Sequence, residues 1–370
     1  MEKERKMKLE EYKKEKYVES AQPPYSAQHP WLVICHGEDL EKQSFFSVSE
    51  NRYYMRHIHE LKEKIICAYA VEWLVLESIY SSECYLWNLI SNDKIQLPPL
   101  PAECEILKCL LSAPPHDPEC QILFLIKETE TATDEDDDAT DEDEDAIDEA
   151  DDDNSDDENS DDENVEDVNQ PTFYFCKPGY DEEFHTRDVP SIIKNGHCGI
   201  WTVFKSKFYV LTFQTRLLIC LDPDNDSGRI TVRRMANESP DIRRYRDIEC
   251  FQNYIIQSSD NIDMLLYVHV FFSGKNHGMP YHFLVFRFDF VKKRWIEAES
   301  IGEIAIFVSS CIGAGTTCST RGTNLNRESI YFTDDRYLYI YNLMTHSISL
   351  SLPCPHVAKR NPYMHWLTLN

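Results

Sequence analysis

The sequence predicts an all-β fold, a β-propeller of six blades. Three observations lead there. A hairpin of one design recurs six times, each copy follows a further pair of apolar runs, and both ends of the globular part carry apolar segments able to pair. The clearest copy spans residues 330–353. Ile330, Tyr331 and Phe332 make a short apolar strand, Asp334, Asp335 and Arg336 a polar turn, and 337–343 a second strand rich in aromatic and branched residues. Residues 347–352 then alternate Ile348, Leu350 and Leu352 with serines and stop at Pro353. Period-two alternation cut by polar turns marks half-buried antiparallel strands.

Five more copies follow the pattern. Residues 85–88 pass a turn at Asn92 and Asp93 to Ile95 and Leu97; 284–288 pass Lys292, Lys293 and Arg294 to Trp295; 217–221 pass Asp222, Pro223 and Gly228 to Ile230 and Val232. Residues 173–176 meet a turn at Pro178 and Gly179, and 45–48 a turn at Glu50 and Asn51 leading into Tyr53 and Tyr54. Apolar pairs such as 65–70 with 73–76, or 200–204 with 208–213, precede these hairpins. One unit is then about four strands and about 50 residues, near the upper end for a propeller blade. Propellers hide strand edges by radial repetition, and the ring needs its ends joined. Trp366 to Leu369 could pair beside 31–34 and close it.

Taken in order, residues 1–28 form a charged segment, helical or disordered. Positions 1–17 mix seven Lys or Arg with five Glu, and Glu4 with Lys8 or Glu10 with Lys14 fall at helical spacing, so a short solvated helix is expected there. There is no apolar stretch of the kind a signal peptide needs. A single propeller domain occupies 29–127 and 169–370. Between its halves lies the acidic tract 128–168, where charge is dense and apolar residues few, so a disordered loop within one blade is expected. It stands between the strand candidates 122–126 and 173–176. Ser155 and Ser160, each followed by Asp-Asp-Glu, are candidate phospho-acceptors for acid-directed kinases. Phosphate there would add charge to a self-repelling segment and extend it.

Composition narrows the classes of function. The chain has 370 residues, 42% hydrophobic, with 20 Tyr, 18 Phe and only 11 Gly, which suits stiff, side-chain-packed strands. Its net charge is −28, but 25 of the 65 acids lie between Glu128 and Asp167 without one Lys or Arg. The remainder, 40 acids against 37 bases, is nearly neutral. No basic stripe argues for direct contact with nucleic acid, and no apolar run is long enough to span a bilayer. Thirteen cysteines, with no C-x-x-C pair and with Cys67, Cys109, Cys176 and Cys220 inside strands, read as small buried hydrophobes of an intracellular protein, cytoplasmic or nuclear.

Tests for chemistry give no catalytic, cofactor-binding or metal-binding residues. There is no phosphate-binding glycine loop, no nucleophile elbow and no H-E-x-x-H helix. Gly313-Ala314-Gly315 lacks a third glycine and reads as a flexible connection. His57 and His59 alternate along a strand, as metal ligands can, without a third ligand nearby in sequence. His185, His197 and His356 are unassigned. The acidic tract could attract basic proteins, which predicts steep salt dependence.

The residues so far assembled resemble a plant family whose propeller was catalogued as domain of unknown function 295 and usually follows an F-box. Its signature is similar to residues 284–308, through Phe288, Asp289, Trp295, Glu297, Ser300, Ile301, Gly302, Ala305, Ile306 and Phe307. Residues 329–335 resemble its C-I-Y-F-T-D-D strand, and Asn88 with the Leu97-Pro98-Pro99-Leu100-Pro101 run its proline-rich segment. The resemblance implies a non-enzymatic propeller that recognises proteins, in F-box members as the substrate receptor of a Skp-cullin-F-box ubiquitin ligase. Only charged residues 1–28 stand where those members carry the F-box, so contact with a Skp-type adaptor is not expected of this segment. Two alternatives stay open: a ligase receptor whose F-box is missing from this chain, and an enzyme using the propeller's funnel for a small molecule.

Overall fold

Strands form where branched and aromatic residues alternate, and they stop at the polar turns between them. In the computed structural model, which describes residues 17–18, 30–128 and 171–367 apart from short stretches, the longest at 243–250, 273–279 and 354–363, the described strands gather into six sheets. Blade 1 holds β1 (Tyr17–Val18), β2 (Trp31–His36), β3 (Lys42–Ser47) and β4 (Arg52–Arg56). Blade 2 is β5 (Lys64–Ala70), β6 (Trp73–Ser78), β7 (Cys84–Asn88) and β8 (Lys94–Gln96). Blade 3 is β9 (Cys104–Leu111), β10 (Ile122–Glu128), β11 (Thr172–Cys176) and β12 (His185–Asp188). Blade 4 is β13 (Gly199–Phe204), β14 (Lys207–Thr212), β15 (Leu218–Asp224) and β16 (Arg229–Arg234). Blade 5 is β17 (Phe251–Gln257), β18 (Leu265–Phe272), β19 (Pro280–Asp289) and β20 (Arg294–Glu297). Blade 6 is β21 (Ile304–Val308), β22 (Gly315–Ser319), β23 (Ser329–Asp334), β24 (Tyr337–Asn342) and β25 (Ser347–Pro353), and β26 (Met364–Leu367) returns to blade 1.

No sheet hides its own apolar faces; each is covered by its neighbours. The six hydrophobic clusters lie one in each seam. Trp31 meets Leu76 between blades 1 and 2, and Leu86 meets Phe124 between blades 2 and 3. Phe173 and Trp201 stand edge to face at 5.8 Å between blades 3 and 4, and Tyr209 packs with Phe286 between 4 and 5. Phe283 and Phe332 approach to 5.0 Å between 5 and 6, and Phe307 and Trp366 to 4.9 Å between 6 and 1. Since burial of apolar area is the main favourable term in folding, every blade depends on two others.

Closure is made as the chain ends suggested. β26 pairs antiparallel with β2, Trp31 opposite Leu367, Leu32 opposite Trp366, Val33 opposite His365 and Ile34 opposite Met364. The strand starts at Met364, two residues before the expected Trp366, and Thr368 and Leu369 lie outside the described residues.

Blades 2 to 5 are four-stranded antiparallel meanders, but blades 1 and 6 have five strands, against the expected four. In blade 1, Tyr17 and Val18 add a parallel strand to the open edge of β4. Those two residues are therefore extended, not helical or disordered, because an outer strand offers unpaired backbone groups to any β-forming segment. The rest of the expected N-terminal helix lies outside the described residues. In blade 6, β22 folds back as the innermost strand beside β21, leaving β21 and β23 parallel. Gly315, expected in a flexible connection, opens this strand; a Cβ there would lie 2.6 Å from Ile256 Cδ1, so only glycine lets β22 run against blade 5. β10 and β11 pair directly, Ile126 opposite Thr172, so residues 129–170 leave and re-enter one blade. Glu128, expected in the disordered tract, instead ends β10 opposite Cys104, and the rest of the tract, with Ser155 and Ser160, falls outside the described residues.

Candidate functional site

A propeller offers two kinds of site, the turns at its faces and the bore at its axis. The turns entering the outermost strands are built alike in blades 2, 5 and 6. Asn88, Asp289 and Asn342 each close a strand and accept, at Oδ1, backbone N–H bonds from two and three residues on. The donors are Ile90 and Ser91 at 2.9 and 2.7 Å, Val291 and Lys292 at 3.0 and 2.9 Å, and Met344 and Thr345 at 3.0 and 2.9 Å. Four residues after each cap the chain turns left-handed, at Asn92 (φ 64°), Lys293 (φ 51°) and His346 (φ 52°). Such side-chain caps replace the lost ladder bonds and fix the turn. The bonds received by Asp289 also hold its carboxyl below the usual carboxylate range.

The residue two places after each cap points outward. Ile90 is 50%, Val291 92% and Met344 63% exposed, and Tyr180 on the corresponding turn of blade 3 is 71% exposed. Ile90, Tyr180 and Val291 share one face, since each turn joins the third and fourth strands of a meander. Met344 lies on the other face: β22 shifts the order of strands, and the β24–β25 turn meets the start of β19, where the His346 and His282 rings meet at a tilt with centroids 5.2 Å apart.

The bore opens toward the face of Ile90, Tyr180 and Val291. It encloses about 920 Å³, and all six innermost strands, β5, β9, β13, β17, β22 and β26, contribute to its wall. Each of these ends its sheet, so one backbone edge faces the axis. The first turns of blades 2 to 4 form the mouth, bringing Val71, Asp117, Lys205 and Ser206 to it.

Within the wall, burial decides protonation. It lowers the Lys108 ammonium, drives His365 down to about 4, and pushes the Tyr69 phenol up to about 12 despite its hydrogen bond with Thr316. The Cys67 and Cys109 thiols are raised well above their ordinary range by burial first, then for Cys67 by Cys109 and Glu77 and for Cys109 by Cys84 and Glu77. Cys67 donates to Glu77 Oε2 at 3.3 Å, and burial raises that carboxyl in turn. Thiols held protonated are poor nucleophiles. Among the described residues no group of three His, Cys, Asp or Glu stands ready to hold a metal ion.

The sequence matches the KIB1-4 beta-propeller family over residues 45–136 and 155–349, most of the chain. The chain belongs to that family. No curated protein matches it in sequence. Among solved structures it is similar to Kluyveromyces lactis Hsv2, 8% identical, covering 88% of this chain and 95% of that one with a TM-score of 0.35. It is similar also to the Cps50 (Swd1) β-propeller domain of Myceliophteria thermophila, 8% identical over 88% and 96% of the two chains, TM-score 0.32. A luciferin-regenerating enzyme is 9% identical over 86% of each chain, TM-score 0.33.

Several sequence-predicted residues take other places in this KIB1-4 propeller. His57 and His59 do not alternate along a strand: β4 ends at Arg56, and His59 begins a 3-10 turn, His59–Leu61. That turn is held by Leu61 N donating to the Ile58 carbonyl at 3.0 Å and by Gln43, whose Oε1 accepts from Ile58 N at 2.8 Å. His185 opens β12 near Asp181, while His197 and His356 lie outside the described residues. Cys109, Cys176 and Cys220 are buried as expected; Cys67 is half-buried in the wall of the bore. Sequence reading missed Lys108 and His365. Lys108 is the one charged residue in the apolar run Ile106 to Leu111, His365 the one titratable residue in Met364 to Leu367, and that mismatch is the signal available.

Proposed function

We propose that this KIB1-4 propeller is a protein-interaction module whose partner docks on the face holding Ile90, Tyr180 and Val291. The observation behind this reading is a set of large apolar side chains exposed on turns whose shape is already fixed. Apolar groups on rigid turns lose little conformational entropy on binding and serve as anchors. Unpaired thiols in one seam, Cys67, Cys84 and Cys109, favour a reducing compartment, cytosol or nucleus. The likeness of residues 284–308 to F-box-associated propellers extends the proposal to a substrate-recognition role, for which a Skp-type adaptor should be retained by the full chain. If none is retained, that extension is removed and the docking face is unaffected.

The test is quantitative capture of partners by three proteins: wild type, the combined Ile90→Asp, Tyr180→Asp, Val291→Asp variant, and an opposite-face control with Met344→Asp and Tyr80→Asp, Tyr80 being exposed on the β6–β7 turn at the other end of blade 2. The partner set of the wild type should persist in the control and disappear from the triple variant. Equal loss from both, or retention by the triple variant, contradicts the proposed face.

A further inference from the structure

We propose that the central bore is a binding site for a small organic anion, a carboxylate carried on a flat apolar body. The inference is independent of the docking face. The bore's volume, about 920 Å³, lies in the range of pockets that enclose drug-sized ligands. Its wall is mainly apolar, with Trp201 and Ile255 on one side and the small Ala68 and Ala70 on another.

Charge is where the bore departs from the rest of the protein. Among the described residues three charged side chains line it, Lys108, Lys205 and Asp117. Lys205 is paired with Asp263 across the blade 4–5 seam. Asp117 caps its own turn, accepting from Glu119 N at 2.9 Å. Lys108 has no ion pair or hydrogen bond among the described residues, although it is half-buried and desolvated enough to lower its pKa. Lys108 thus brings to the wall of the bore an ammonium with no ion-pair partner among the described residues. A second signal is His365: it lines the bore, is 6% exposed, and its buried Nε2 has no hydrogen-bond partner among the described residues.

Buried polar groups are normally satisfied, and those that are not call for a missing partner. One ammonium flanked by neutral groups suits a monoanion; a phosphate would demand further cations. A carboxylate at Lys108 would form a charge-assisted hydrogen bond with the ammonium, while its apolar body displaced water from the Trp201 side.

Titration calorimetry of the full chain with 1-naphthoate and its neutral isostere 1-naphthamide tests this without any variant. The carboxylate should bind one equivalent at least about tenfold more tightly than the amide. Lys108→Gln should erase the preference and Lys108→Arg keep it. No saturable naphthoate binding, equal affinity for both probes, or a preference that survives Lys108→Gln would overturn the assignment.

Discussion

Replacing Trp366 by alanine removes the side chain that fastens the ring. The indole is 2% exposed, packs 4.9 Å from the Phe307 ring, and donates from Nε1 to the Val308 carbonyl at 3.1 Å. Truncating a buried Trp costs about 3–5 kcal/mol, and a buried carbonyl left unpaired about 1–3 more. Because the two losses overlap, about 4–6 kcal/mol is expected, a large part of the about 5–15 kcal/mol that keeps a domain folded. Urea denaturation of Trp366→Ala should show the unfolding free energy falling by that amount. Hydrogen exchange should show the amides of residues 31–34 opening before those of blades 3 and 4, since β26 is their partner strand. Trp366→Phe, which keeps a ring against Phe307, should recover most of the loss. If Trp366→Ala costs under about 1 kcal/mol, or β2 exchange does not change, the ring is not held at this seam.

Asn342→Ala should lower stability by about 1 kcal/mol and expose the amides of Met344 and Thr345 to exchange, since both bonds to its Oδ1 are lost. Replacing 129–170 by a short turn should leave the fold intact and stabilise it by about 2 kcal/mol, because β10 and β11 already pair and a shorter loop closes at lower entropic cost. Burial takes His365 from 6.5 to about 4, so the fold favours neutral imidazole. This stability is complete above pH 6.5 and is lost as pH falls toward 4, by up to about 3 kcal/mol. Stability curves of His365→Gln should be flatter than wild type over that window.

The hairpin repeat was legible because its physics is local: alternation in residues 337–352, a capping Asx, and a left-handed residue four places on need no distant contact. Closure by Trp366 was legible for the related reason that an apolar terminal strand must find an edge. The inversion of blade 6 was not, since β22 reads as a weak strand, Gly-Thr-Thr-Cys-Ser, and its place is set by the gap beside Ile256. The bore was hidden because its wall comes from six strands far apart in sequence. Lys108 has meaning only once Lys205 and Asp117 are seen to be engaged elsewhere.

The docking face is tested most directly by a photo-reactive residue placed in turn at position 291 and at position 344. These positions follow the same kind of cap on opposite faces of the ring. A covalent adduct with the partner from position 291 and none from 344 is the expected result; adducts from 344 alone, or equally from both, would contradict it.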